Sequence, residues 1–337
     1  MAKYLLRHIW IVILLSACAS SNRNQSGSEV VTNNPSNRNE AITSIFNEVD
    51  TVNFVQNEFV GDKKPSPLTD LARTEDGAYV LAPGFYETDF KTYCLQPGTP
   101  DPSSRDAYFR APLTGARKEI IETILRNSQK KPYLEQKNTQ LLLWSVVSKT
   151  EFNKLGPAVQ ATGRELLTSK QIYELNGGTM GVMKTVARNM PSTGMKTMNG
   201  DLFKLFEIGS NSYEAYERLA VLQQPSKISR PDFKRDQWHK QEEGYYVRYM
   251  PDSYKNTKIQ VYVPNDCVDS TNKRAGEYVV FNPTSLVIVP AWSNAQRLGV
   301  GGAVVDIIRE VVKIERKSPP PPPRKPGNTP KTTKPQQ

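Results

Sequence analysis

Few side chains in this sequence are equipped for covalent chemistry. Three cysteines (Cys18, Cys94, Cys267) and two histidines (His8, His239) stand among 337 residues. Cys94 sits in TYCLQPGTPDP, residues 92–102, between Tyr93 and Leu95 and just ahead of a Pro/Gly-rich loop. A thiol there has three uses. It can pair with Cys267 as a disulfide in an oxidising compartment, it can pack as a small hydrophobe, or it can act as a nucleophile beside an activating partner. A Cys94–His239 dyad is one such pairing, but DQWHKQEEG around His239 reads as a solvated, charged turn. A zinc site would have to join Cys94, Cys267, His239 and a carboxylate without the close spacing of zinc ligands. A serine hydrolase would lack its Gly-x-Ser-x-Gly elbow. The adjacent Glu242 and Glu243 belong to a solvated face rather than to a facing carboxylate pair. No metal, no cofactor and no turnover enzyme is expected.

A second stretch, NTQLLLW at 138–144, bears on Cys94. Taken together, YCL at 93–95 and TQLLLW at 139–144 resemble the paired motifs of bacterial internal-thioester domains. Those domains carry an aromatic–Cys–aliphatic element, then a Thr-Gln element ending in Trp or Phe. The resemblance implies that the Cys94 thiol attacks the side-chain amide of Gln140 and expels ammonia. The resulting thioester would acylate an amine-bearing surface ligand, which makes a covalent adhesin. Such a bond requires the sulfur at about 3–3.5 Å from the amide carbon and surroundings that exclude water. Tyr93 and Trp144 are placed to provide that shield. The Cys94–Cys267 disulfide and a cysteine that only packs remain open beside it.

The elements that must position these residues read as an α+β fold. Residues 41–224 are expected to form a helix-rich domain with a few strands, possessing the thioester motifs, and residues 225–312 a small antiparallel β-rich region. EAITSIFNEVDTVNFV reads as a helix start. AYVLAPGFYETDFKTYCL, rich in aromatic and β-branched residues, reads as one or two strands broken at Pro83-Gly84. TGARKEIIETILRNSQK predicts a helix with Ile120, Ile121, Ile124 and Leu125 on one face. NTQLLLWSVVSKTEF predicts a buried helix capped by Asn138 or Thr139. Thr168 and Gln171 stand at capping-box spacing, and Asn211-Ser212 marks the joint between two further helices. GYYVRYM, KIQVYVP, EYVVFNP and SLVIVP predict short strands. The last apolar stretch, LGVGGAVVDIIREVVKIERK, is expected to close the fold as a helix.

The two ends speak of location. Lys3 and Arg7 precede an apolar run at Ile9–Leu15, too short for the ~20 residues that span a bilayer. Residues 1–17 thus read as a signal peptide, and Leu15–Cys18 (LSAC) resembles the lipobox of bacterial lipoproteins. That resemblance implies a diacylated Cys18 as the first mature residue, anchored in the membrane. Residues 18–40, Ser/Asn-rich and poor in large apolar side chains, read as a tether. Of the formal charge of +10, residues 313–337 carry a net +6, with seven bases against Glu315 alone. This proline-rich tail, with five consecutive prolines, is expected to be extended. It is suited to an anionic envelope partner, whether glycan, lipid or protein, or to a merely solubilising role. Without a basic helix or an RNA-binding motif, nucleic acid is not expected as a partner. The expected location is the bacterial cell envelope, at the outer membrane, with the chain acting as a binding protein or as a structural component of an envelope complex.

Overall fold

The longest strand, β1 (Gly84–Cys94), is the axis on which two distant parts of the chain meet. It pairs on one side with β4 (Asn256–Val263) and on the other with β6 (Leu298–Ala303), both antiparallel. With β2 (Tyr108–Ala111), β3 (Tyr246–Ser253) and β5 (Val287–Pro290), the order is β3-β4-β1-β6-β5-β2. A bridge between Tyr108 and Tyr249 returns β2 to β3. The six strands therefore close into an antiparallel barrel, which leaves the strands no free edge over their paired lengths. The computed structural model describes residues 54–55, 60–177, 195–228, 233–235, 237–268, 278–284, 287–304 and 311–312. Residues 1–40, expected to form a signal peptide, the lipidated Cys18 and a tether, and residues 313–337, the expected tail, lie outside the described residues.

Alternation along the strands shows which face is the core. Val247 and Tyr249 on β3, and Ile259, Val261 and Val263 on β4, are buried, while Tyr246, Arg248 and Tyr262 between them are partly exposed. Cross-strand partners share a face. The pairs Val247–Val261, Val261–Tyr86 and Cys94–Leu298 thus put Cys94 and Leu298 on the inner face, and Tyr93 on the outer one.

All six described α-helices lie between β2 and β3: α1 (Lys118–Lys130), α2 (Gln136–Val147), α3 (Pro157–Leu166), α4 (Ser169–Leu175), α5 (Met195–Glu207) and α6 (Tyr213–Ala220). The α1 stripe of Ile120, Ile121, Ile124 and Leu125 is buried, each side chain contributing about 1.5–3 kcal/mol. It lies on the outer face of β6, where three glycines make room. A methyl on Gly299 would come 2.7 Å from Leu125 Cδ1, on Gly301 2.7 Å from Tyr93 Cε2, and on Gly302 2.9 Å from Gln129 Cα. The α4 capping box forms as expected, Thr168 and Gln171 each serving the other's backbone N–H. Ser212 caps α6 by accepting from Ala215 N.

Several expectations are corrected. Residue 224 is no boundary between a helical and a β region, because β1 and β2 from before it build one barrel with β3–β6 from after it. LGVGGA is strand β6 rather than helix, since its glycines serve close packing and Leu298 and Val300 face the barrel. The helix α2 begins at Gln136, so Asn138 and Thr139 lie inside it instead of capping it. Trp238–Lys240 is a strand with Trp238 and His239 buried; only Glu242 and Glu243 are the exposed turn. Of EAITSIFNEVDTVNFV, only Phe54–Val55 is described, and it is a strand paired with Trp238–His239.

Candidate functional site

The site arises where β4 turns away from β1. Their pairing ends at Asn256 opposite Lys91, and Thr92 N makes the last ladder bond, to Lys255 O at 3.0 Å. The remaining edge of β1 would be left with buried, unpaired peptide groups, which is costly. Helix α2 fills the gap with side-chain amides. Gln136 Nε2 donates to Thr92 O (3.0 Å) and to Lys255 O (2.7 Å). Gln140 Oε1 accepts from Cys94 N at 2.8 Å, and Gln140 Nε2 donates to Cys94 O at 2.9 Å. The geometry explains why spacing four works. Four helical residues advance about 6 Å, and two strand residues about 6.6 Å, so Gln136 and Gln140 meet alternate peptide groups of β1. Trp144, four further along the same stripe, reaches past the strand's end.

Cys94 is fully buried on the inner face and is a free thiol. Burial pushes the thiol up to about 12; the nearby Asp101 charge adds to this, while the Trp144 indole and the Gln96 backbone work against it. The Trp144 Nε1 is itself buried and makes no hydrogen bond of standard geometry. It lies near enough to the sulfur to favour its charged form. Gln140 is also almost completely buried. The structure therefore buries the residues that bear thiol, amide and indole side by side at the end of β1. Tyr93 is not part of it. It points to the outer face, where Ser128 and Thr139 hydrogen-bond its hydroxyl, and burial raises that phenol to about 12.

Over Trp144 lies a set of residues that no motif announced. The Tyr213 ring stacks on the indole at 5.9 Å between centroids and 21° between planes, and the Tyr254 ring lies at 6.3 Å. The two phenol oxygens are 2.6 Å apart. The Tyr254 hydroxyl also bonds Glu217 Oε1, which pairs with Lys255 Nζ at 2.8 Å. Asp101 Oδ1 accepts from Tyr254 N at 2.8 Å and so fixes the turn between β3 and β4 against the site. Burial raises the Asp101 carboxyl and both phenols. Tyr213 and Glu217 share a face of α6 at spacing four. That spacing is visible in YEAYERLA; its partners Tyr254 and Lys255, about 40 residues on, are not.

The other candidate residues lie apart. The Cys94–Cys267 disulfide is not formed: both thiols are free, and Cys267 Sγ donates to Glu243 O at 3.1 Å at the far end of β3 and β4. The His239 ring packs on Phe109 at 4.2 Å. His239 stands opposite Val247, which through Val261 lines up with Tyr86, eight residues before Cys94 on β1, so the ring is far along the barrel from the thiol and forms no dyad with Cys94. Among the described residues no group of three His, Cys, Asp or Glu is arranged to hold a metal. No described helix is long and apolar enough to cross a membrane. Cys18 lies outside the described residues. Compared with protein-family models, curated proteins and solved structures, the chain gives no match.

Proposed function

We propose that this chain is a lipid-anchored binding protein of the bacterial cell envelope. In this reading it attaches covalently to amine-bearing surfaces through an internal thioester between Cys94 and Gln140. The observation that carries the proposal is the pairing of the Gln140 side-chain amide with the Cys94 peptide group. It holds the acyl carbon beside the residue that bears the nucleophile, and the Cys94 N–H donates to the oxygen that becomes negative on attack. In the reaction the sulfur bonds to Gln140 Cδ, the C–N bond breaks, and the thiol proton leaves with the nitrogen as ammonia. An amine later reverses the bond, forming a secondary amide at Gln140 and restoring the Cys94 thiol. Trp144 excludes water from the acyl carbon. Cys18 anchors the chain at the outer membrane, several acyl chains on one residue being enough for stable attachment. The basic, proline-rich tail meets an anionic envelope partner.

A second reading draws on the same bonds. Both ends of the Gln140 amide are satisfied, as in a purely structural clamp, and the chain would then be a non-catalytic structural or assembly component of an envelope complex.

Methylamine separates the two readings. Cys18→Ser is expected to release folded chain from membranes. The released protein should take up methylamine covalently at Gln140 and expose one new thiol. Cys94→Ala and Gln140→Ala should each abolish uptake, and Trp144→Phe should keep it. A wild-type chain that takes up no methylamine supports the structural clamp.

A further inference from the structure

We propose that Tyr213, Tyr254 and Glu217 form a proton outlet for the Cys94–Gln140 centre, carrying to the surface the proton that an incoming amine must lose. The proposal rests on the thioester reading. An alkyl amine reaches a surface as ammonium, with one proton more than the reaction can keep. Attack forms the bond from amine nitrogen to Gln140 Cδ and breaks the bond from Cδ to Cys94 Sγ. The sulfur leaves with the electron pair and takes one proton from the nitrogen. The extra proton needs an acceptor outside a pocket sealed by Trp144.

The hydrogen bonds define a direction for it. Glu217 accepts from the Tyr254 hydroxyl, so the Tyr254 oxygen accepts from Tyr213 at 2.6 Å, and the Tyr213 oxygen keeps a free acceptor position. A proton taken up at Tyr213 moves on as Tyr213 gives its own to Tyr254 and Tyr254 gives its own to Glu217. The inner end of the chain lies against the site, because the Tyr213 ring stacks on Trp144 and its phenol lies within electrostatic reach of Cys94. The outer end reaches water, the Glu217 side chain being 28% exposed. Other charged groups face the unit. Lys255 pairs with Glu217 and lies over both rings, at 5.6 Å from Tyr213 and 5.2 Å from Tyr254. Asp101 lies at the Tyr254 backbone, and Glu214 is on the same helix as Tyr213. Asp101, half-buried and within electrostatic reach of Cys94, is the competing acceptor, but its described bond goes to the Tyr254 backbone N–H and no described hydroxyl links it to the Tyr213 ring stacked on Trp144. The phenol pair therefore offers the continuous path.

The test compares wild type, Tyr254→Phe and Glu217→Gln, full length or released by Cys18→Ser. Intact mass gives the thioester fraction of each, and methylamine uptake is timed across pH. Tyr254→Phe keeps the ring beside Trp144 and breaks the chain in its middle; Glu217→Gln removes the terminal acceptor at a partly exposed position. Both are expected to carry the thioester and to take up methylamine roughly ten- to a hundredfold more slowly, at the lower end of general acid–base effects. The pH–rate profile should change shape in both. Wild type, Tyr254→Phe and Glu217→Gln reacting at the same rate with the same profile would overturn the outlet while leaving the thioester standing. A wild type without thioester would overturn both readings at once. If Tyr254→Phe fails to fold, Glu217→Gln alone decides the matter.

Discussion

The side chain of Gln140 pairs with the peptide of Cys94 as a neighbouring β-strand would, Oε1 lying 2.8 Å from its N and Nε2 2.9 Å from its O. A helix thereby completes the sheet where strand β4 leaves it. The first consequence is a stability effect independent of any covalent bond. Gln140→Ala leaves a buried N–H and a buried C=O unpaired, each worth about 1–3 kcal/mol. A loss of about 2–4 kcal/mol is therefore expected in urea unfolding of the amine-treated protein. The half-buried Gln171→Ala, which breaks a capping box, should cost nearer ~1 kcal/mol.

The buried thiol gives stability a pH dependence. In the unfolded chain Cys94 ionises near the ordinary 9.0, whereas burial holds it protonated up to about 12 in the fold. The folded state thus keeps a proton that the unfolded state has lost, and this stability, complete below about pH 9, is lost as pH rises toward pH 12. The contribution is on the order of 4 kcal/mol in full. After methylamine treatment, wild type should lose more stability over this window than Cys94→Ala. Parallel curves would contradict the burial of the thiol.

Two glycines, Gly302 in β6 and Gly200 in α5, predict substitution effects of opposite sign. A Cβ on Gly302 would meet the backbone of α1, 2.9 Å from Gln129 Cα, and a Cβ on Gly200 in α5 meets nothing within 4 Å. Gly302→Ala should destabilise by about 1–3 kcal/mol through overpacking. Gly200→Ala should stabilise by up to about 1 kcal/mol through helix propensity. Thermal melts of the two variants check both signs.

What the sequence made legible was local. Thr168 and Gln171 announced their capping box, the alternation Ile259–Val261–Val263 announced a strand with one buried face, and the α1 stripe announced its packing side. The barrel was not legible, because β1 pairs with β4 and β6 across more than 160 residues and β2 closes on β3 at Tyr108–Tyr249, and no local pattern encodes such pairings. Gly299, Gly301 and Gly302 misled because a glycine-rich strand under a helix has the composition of a loop leading into a helix. At the site, Gln140 and Trp144 were readable as a motif. The motif did not show that Tyr93 faces away from Cys94, although strand alternation requires it of adjacent residues. Tyr213, Tyr254 and Glu217 could not be found, since α6 and the β3–β4 turn meet only in the folded barrel.

The mass of the untreated domain tests the central claim most directly. A Cys94–Gln140 thioester makes wild type lighter than its sequence by one ammonia, after any processing of the N-terminus is accounted for. The same deficit should be absent from Cys94→Ala, and should disappear from wild type on methylamine treatment as the adduct forms at Gln140. A freshly purified wild-type domain with the full sequence mass, and no adduct after methylamine, would show that the amide of Gln140 only clamps the strand and that no thioester is made.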